Sequence, residues 1–425
     1  MSGNASFLAG AGKSAIDIAY PVEGYVGERD RLYARAAVLA AGPSRVAIVV
    51  IDLTAVPADM VREFQETVGR TAGVAPAQVL ICASHTFSAP HLSSADEPGA
   101  VRFRRSVIDA VARAASQAGN EMRPARLGFA RGMSRVNVNR DVHTAAGWWL
   151  GADDRGATDH SVAVIRIEDE AGKPIAILAN YAVQSSVMNE STLSSGGILV
   201  TDDLAGAAVR HAEEQYGSGT VAMFLVGAAG DQAPYLTANR YTLDKDGNWG
   251  RSDLREAGHV LVDLLGERLG SEIVRASEEA VCTAFAGGLR VTSASVEVGT
   301  QQPPASFRDL RPVHGYDYRQ GGTESVPVFA LGIGDIALVG VQAELSSTTG
   351  LDIKARSQFG QTVVLTMVNG GAKYMADAAS YDKITYAAMN SRYARGTAER
   401  VSSAALTLLA DLFPATRPAE SSASA

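Results

Sequence analysis

The stretch Val79-Leu-Ile-Cys-Ala-Ser-His-Thr-Phe-Ser-Ala-Pro-His91 constrains this chain more than any other. Its apolar half is strand-length, comes after the break at Gly73–Pro76 and carries no polar face. Such a run reads as a strand covered on both sides of a sheet. Within one residue it gives way to a polar segment holding two of the chain's seven histidines. In open α/β sheets, chemistry collects beyond the carboxyl ends of such strands. His85 therefore stands where a catalytic or ligating imidazole is useful. The competing reading is a buried histidine hydrogen-bonded at a strand end.

The remaining chain repeats the arrangement. Arg31–Ala41 and Arg45–Asp52 read as strands joined by Gly42-Pro43-Ser44, the second ending in Asp52. A helix from Ala58 to Gly69 sets Met60, Val61, Phe64 and Val68 on one face, and a second spans Val101–Ala118. After a strand at Arg126–Ser134 come a polar loop, Val136–Arg140, and an aperiodic segment, His143–His160, containing Trp148 and Trp149. Long loops inside compact domains are more often functional than idle. Val162–Glu168 and Pro174–Asn180 form a hairpin running into Tyr181–Met188, and the strand Val221–Val226 ends in Gly227–Pro234. The polar stretch Thr237–Arg251 is the softest internal boundary.

Arg45–His91 and Asp335–Tyr374 share an order of parts: strand, acidic residue, helix, strand, polar loop. With parallel strands, that order brings Asp52, His85, Glu344 and Tyr374 to one sheet edge. The expected architecture is α/β, a mixed and largely parallel sheet with flanking helices. It forms a single large domain over 1–413, with a disordered tail at 414–425.

A net charge of −8 without a Lys/Arg run argues against nucleic acid or an anionic membrane as partner. No segment reaches bilayer-spanning length. The first residues lack the basic and apolar regions of a secretory signal, so the expected compartment is the cytoplasm. Cys82 and Cys282 lie far apart among apolar residues and fit reduced thiols. No nucleotide cofactor is expected. The expected partner is a small-molecule substrate, and a homo-oligomer is left open.

Five strand-end segments compete for the active site: Ser84–His91, Asn180–Ser186, Gly227–Pro234, Gln342–Ser347 and Asn369–Tyr374. In these the chain resembles the neutral/alkaline (non-lysosomal) ceramidase superfamily, as a divergent form of its N-terminal catalytic domain. The family's Thr-His-Thr-His-Ser-Gly-Pro loop is matched by Ser84-His-Thr-Phe-Ser-Ala-Pro90, and its Gly-Asp-x-Ser/Asn-Pro turn by Gly230-Asp-Gln-Ala-Pro234. Its late glutamate is matched by Glu344, and its tyrosine series by Tyr374, Tyr381, Tyr386 and Tyr393. Smaller matches fall at Leu32–Ala36 and Val138–Arg140.

The resemblance implies a zinc hydrolase in which His85, Gln184, Glu344 and Tyr374 hold the metal and a bound water attacks. The departures are Gln184 for a family histidine, Phe87 for the second loop histidine and Ala233 for a serine. An amide oxygen is a weak donor to Zn²⁺. The set therefore suits one divalent metal, either loosely held zinc or a harder ion. The alternative is a metal-free site in which Gln184 donates to substrate.

The expected function is that of an amidohydrolase-like enzyme cleaving an amide or similar bond in a small soluble substrate. His85, Asp231, Glu344 and Tyr374 are the expected catalytic groups. Gln184, Asn137, Arg140, Gln232, His91, Asp52 and Trp148 are expected at the substrate. Arg140 offers a bidentate fork for a carboxylate or carbonyl. Trp148 offers a wall, and His91 a replacement nitrogen ligand. Two alternatives stand beside this: a metal-independent lyase, isomerase or glycoside-type enzyme using Asp, Glu and His, and an inactive ligand-binding homologue.

Overall fold

In the strand Ser44–Ile51, Ile48 and Val50 point to one face and Ala47, Val49 and Ile51 to the other, and none is more than 1% exposed. A strand buried on both faces needs a covering layer on each. The computed structural model, which describes residues 7–217, 219–243 and 249–413, supplies them as a second sheet on one side and helices on the other. The tail expected to be disordered lies outside the described residues.

Among the described residues the larger sheet has nine strands. From edge to edge they are Val221–Val226, Pro174–Tyr181, Ser161–Asp169, Arg123–Met133, Phe7–Ala15, Tyr33–Ala41, Ser44–Ile51 and Val79–Ala83, with Thr283–Ala284 beside Arg123–Met133. A four-stranded sheet runs Leu289–Gln301, Gln320–Ile333, Ile336–Val341, Gln361–Leu365. The two sheets face each other, with Ile48, Leu80, Leu178 and Met223 against Leu331, Ile336, Leu338 and Leu365. Helices Val61–Ala72 and Pro98–Asn120 cover one end of the larger sheet, and Asp203–Tyr216 and His259–Glu279 the other. Ser347–Arg356 and Thr397–Leu412 cover the smaller sheet. No described helix is long and apolar enough to cross a membrane.

The mixed α/β class with flanking helices holds, with fewer parallel pairs than expected. Parallel pairing among the longer strands is confined to Ser44–Ile51 with Val79–Ala83, Pro174–Tyr181 with Val221–Val226, and Ile336–Val341 with Gln361–Leu365. The other long pairings are antiparallel, and within these two sheets short turns join three of them directly: Tyr33–Ala41 to Ser44–Ile51, Ser161–Asp169 to Pro174–Tyr181, and Gln320–Ile333 to Ile336–Val341. Those three parallel pairs end at the segments that build the site.

Other departures have local causes. The strand Phe7–Ala15 is rich in Ala and Gly and carries little strand signal. A Cβ on Gly10 would come within 2.1 Å of the Ala118 carbonyl oxygen, and one on Gly12 within 2.2 Å of that of Ala114. Glycine is set there by the close approach of the helix Pro98–Asn120. Val136–Arg140, expected as a loop, opens the strand Asn137–Thr144, which pairs with Gly147–Asp153 inside the segment expected to be aperiodic. The stretch Thr237–Arg251 forms the hairpin of Asn239–Leu243 with Trp249–Asp253; residues 244–248 lie outside the described set.

Asp52 ends its strand, but its carboxylate meets Arg35 at 2.7 Å and accepts the Tyr33 N–H at 2.9 Å. Both charged side chains are 1% exposed. Asp52 is therefore a structural anion rather than a substrate contact. Asp52→Ala leaves a buried guanidinium poorly compensated, and breaking such a pair costs about 3–5 kcal/mol. Urea denaturation should show the midpoint falling accordingly with an unchanged slope. An unchanged midpoint would mean that Glu213, 3.7 Å from Arg35, suffices as counter-ion.

Candidate active site

The strand Val79–Ala83 ends at Ser84, whose N–H donates to the Ile51 carbonyl at 2.9 Å. His85 comes next with φ of 61°, a left-handed backbone that costs a non-glycine residue about 1–3 kcal/mol. Thr54 holds this turn twice. Its hydroxyl donates to the Thr86 carbonyl at 2.7 Å, and its carbonyl lies 2.6 Å from His85 Nδ1. A carbonyl only accepts, so Nδ1 carries the proton and Nε2 is the bare nitrogen of the neutral ring. Nε2 faces Glu344 Oε2 at 3.1 Å and makes no other hydrogen bond among the described residues. Phe87 sets its ring edge-on to His85, 4.8 Å between centroids.

Glu344–Leu345 runs parallel to Tyr374–Met375, and the Glu344 N–H donates to the Lys373 carbonyl at 2.8 Å. That short ladder carries Tyr374 in beside Glu344. Arg140 arrives from the strand Asn137–Thr144, which pairs with Gln232–Pro234. Its guanidinium donates to the Gly230 carbonyl at 2.7 Å and to Gln184 Oε1 at 2.9 Å, and lies 4.7 Å over the Tyr374 ring. Arginine only donates, which fixes the Gln184 amide with oxygen toward Arg140 and nitrogen toward Glu344 Oε2.

These contacts set the protonation states. Burial pushes His85 down, but the Glu344 charge and the hydrogen bonds to Glu344 and Thr54 outweigh it, leaving its pKa above the ordinary imidazole value. Burial pushes Glu344 up, but His85, Arg140 and Gln184 together hold it below the usual carboxylate range. Both shifts favour the pair as imidazolium and carboxylate. Burial raises Tyr374 despite Arg140, so it is a neutral phenol. Beside Arg140, burial lifts Asp141 to about 7.

The residues implied to hold a metal do not fit one well. Gln184 offers its nitrogen, not its oxygen, and a nitrogen of a neutral amide is no metal donor. The Arg140 guanidinium, 7% exposed, would share the site with a divalent cation. Among the described residues, no three His, Cys, Asp or Glu side chains converge as a metal-binding group.

Several expected site residues serve the frame instead. Asp231 Oδ1 accepts from the Ser347 N–H at 2.8 Å and Gln232 Nε2 at 3.0 Å; Oδ2 accepts from Ser347 Oγ at 2.9 Å and Asn139 Nδ2 at 3.3 Å. It anchors the start of the helix after Glu344 and does not face His85. Asn137 donates to the Asp159 and Ala182 carbonyls, bracing the turn that carries Gln184. Gln232 donates to the Ala157 carbonyl. His91 is exposed and paired with Glu23 at 2.9 Å, away from the role of a replacement ligand. Trp148 stacks near His143 and Lys383. Trp149 is the buried one, since alternate side chains of a strand face opposite ways.

Trp149 lines a cavity of about 450 Å³ with Tyr241, Arg251, Phe307, Arg308, Arg311 and Tyr386. Tyr386 is its inner wall, its ring 6.0 Å from that of Tyr374 and 5.7 Å from the Arg140 guanidinium. The Thr54 carbonyl and the Asp141 carboxylate carry no sequence signal of their own. Tyr386 does, through the tyrosine series.

No family model matches the sequence, and no characterised relative is found by sequence. Solved structures do match. A neutral ceramidase from Pseudomonas aeruginosa superposes with a TM-score of 0.75 at 18% identity, covering 96% of this chain and 75% of that one. A ceramidase complexed with C2 gives 0.74 at 18% identity, covering 98% and 77%. The chain has the neutral-ceramidase fold. A divalent metal is compatible with that fold, whereas the donors at Gln184 and Arg140 in this chain depart from what such an ion needs.

The His85–Glu344 pair has a testable pH signature. Raised His85 contributes stability in full below the ordinary value of 6.5 and loses it as pH rises through its folded value; lowered Glu344 contributes above 4.5 and loses it as pH falls. Stabilisation by the pair is thus complete between those two values. In Glu344→Gln, burial and Arg140 act on His85 with little opposition, and its titration should move below 6.5. Imidazole ¹⁵N NMR reads this directly; an unmoved titration would show that the pair is not coupled.

Proposed function

We propose that the chain is a hydrolase cleaving an amide or similar bond of a small soluble substrate at His85, Glu344, Tyr374 and Arg140. The observation that carries this is the buried His85–Glu344 pair, with Nδ1 committed to a backbone carbonyl and two donors, Arg140 and Tyr374, beside it. Such a pair handles two protons in sequence, which hydrolysis requires.

Glu344 takes a proton from water as the water oxygen bonds to the substrate carbonyl carbon. The carbonyl electron pair moves to oxygen, where the Arg140 guanidinium and the Tyr374 hydroxyl stabilise the charge. Arg140 Nε has no partner among the described residues and is available for this. His85 Nε2–H then gives its proton to the departing nitrogen as the C–N bond breaks. The proton on Glu344 crosses to Nε2, 3.1 Å away, and restores the pair. Gln184 keeps the carboxylate aimed by donating to it. No step is assigned to a metal.

A panel of small N-acyl compounds in H₂¹⁸O tests this. The acid product should carry ¹⁸O, which an isomerase or lyase would not produce. His85→Ala and Glu344→Gln should each lower kcat about 10²–10⁴-fold in a folded protein. Activity should survive dialysis against a chelator. Loss on chelation with recovery on added Zn²⁺ or Mn²⁺ would replace Arg140 by a metal as the source of positive charge.

A further inference from the structure

The chain between Gln301 and Gln320 leaves a long antiparallel pair of strands and returns to pair again at Gln320, opposite Gln301. It does not hang in solvent. Leu310 is buried with Trp149 and Met389, and the Tyr318 ring lies 5.0 Å from that of Tyr381. Gly147 sits so close beneath it that a Cβ would come within 2.5 Å of the Val313 carbonyl oxygen. The excursion is therefore a seated outer wall of the cavity beside Tyr386.

That wall brings Arg308 and Arg311 to the cavity. Across from them Arg251 is neutralised by Glu190 and bonded to the Tyr241 hydroxyl at 2.8 Å. Neither Arg308 nor Arg311 has a carboxylate within ion-pairing distance among the described residues. Arg311 donates to the Arg308 carbonyl at 2.8 Å and to the Leu310 carbonyl at 2.6 Å, which holds its fork in place; Arg308 lies 5.9 Å over Phe307. Two guanidiniums without a carboxylate partner among the described residues thus share one concave wall in a chain of net charge −8. Like charges placed together focus a positive potential into the cleft and favour an anion there. Guanidinium forks match the geometry of carboxylate and phosphate, while Trp149, Tyr241 and Tyr386 offer flat apolar faces.

We propose that the substrate is a small anionic acyl compound, whose carboxylate or phosphate is held by Arg308 and Arg311 while its scissile carbonyl reaches past Tyr386 to Arg140. The aromatic rings take the body of the molecule between these ends. This substrate class rests on the hydrolase function above, but the anion subsite can be tested without turnover.

Two measurements separate the claims. Calorimetry with benzoate and with phenyl phosphate on the full chain should show saturable binding that weakens with salt. Arg308→Ala/Arg311→Ala should weaken it about tenfold or more, as expected for loss of hydrogen bonds to a charged group. The tighter of the two probes identifies the anion. In kinetics, N-benzoylglycine should be hydrolysed in preference to its neutral amide, N-benzoylglycinamide. The double variant should lose that preference through a higher KM, with kcat within about twofold. Hydrolysis of both compounds with no charge preference overturns the anion subsite and leaves the hydrolase standing. Arginine-dependent anion binding without hydrolysis of any acyl compound leaves the subsite standing and removes the hydrolase. No binding of either probe, or binding unchanged in the double variant, overturns the proposal.

Discussion

A guanidinium withdrawn from water must be surrounded by acceptors, and the site is arranged around that demand at Arg140. Three segments distant in sequence meet it: the Gly230 turn with a carbonyl, Gln184 with its amide oxygen, and Tyr374 with its ring face. Leaving such a charge unpaired costs several kcal/mol, so these partners are not free to turn elsewhere. That demand orients Gln184, and with it the hydrogen bond that aims Glu344. Glu344 in turn holds the proton on His85. Each contact is fixed by the one before it, and the strained backbone at His85 is the cost of completing the chain.

The parts of the site visible in the sequence are those that depend on strand ends. Val79–Ala83, Val221–Val226 and Ile336–Val341 are apolar runs that stop abruptly, and the residues just beyond each lie at the centre of the fold. The direction of a side chain is a different matter. Asp52 and Asp231 stand at strand ends as expected, yet both are consumed by their own neighbours, Arg35 in one case and Ser347 in the other. Trp148 and Trp149 differ by one residue, and one residue in a strand reverses the face. Asn137–Thr144 is polar because its side chains brace other segments, so it shows no alternation to read as a strand. The backbone carbonyl of Thr54, which decides the histidine tautomer, is invisible to any reading of side-chain types.

A cation supplied by the protein differs from a bound metal in what it allows. A guanidinium stabilises a developing oxyanion but does not ionise water, whereas a metal does both. Taking the proton from water then falls to Glu344, whose pKa lies below the usual carboxylate range chiefly through His85 and further through the same cation. The two demands oppose each other. A more strongly held Arg140 makes a better oxyanion site and a weaker base. Such a compromise favours acyl groups whose carbonyl carbon is already activated, or substrates held long enough for a slow attack. Arg308 and Arg311 bear on the second route. Anchoring one end of the substrate in the cavity holds it in place while a slow attack proceeds, a gain in binding that is read in KM rather than in kcat.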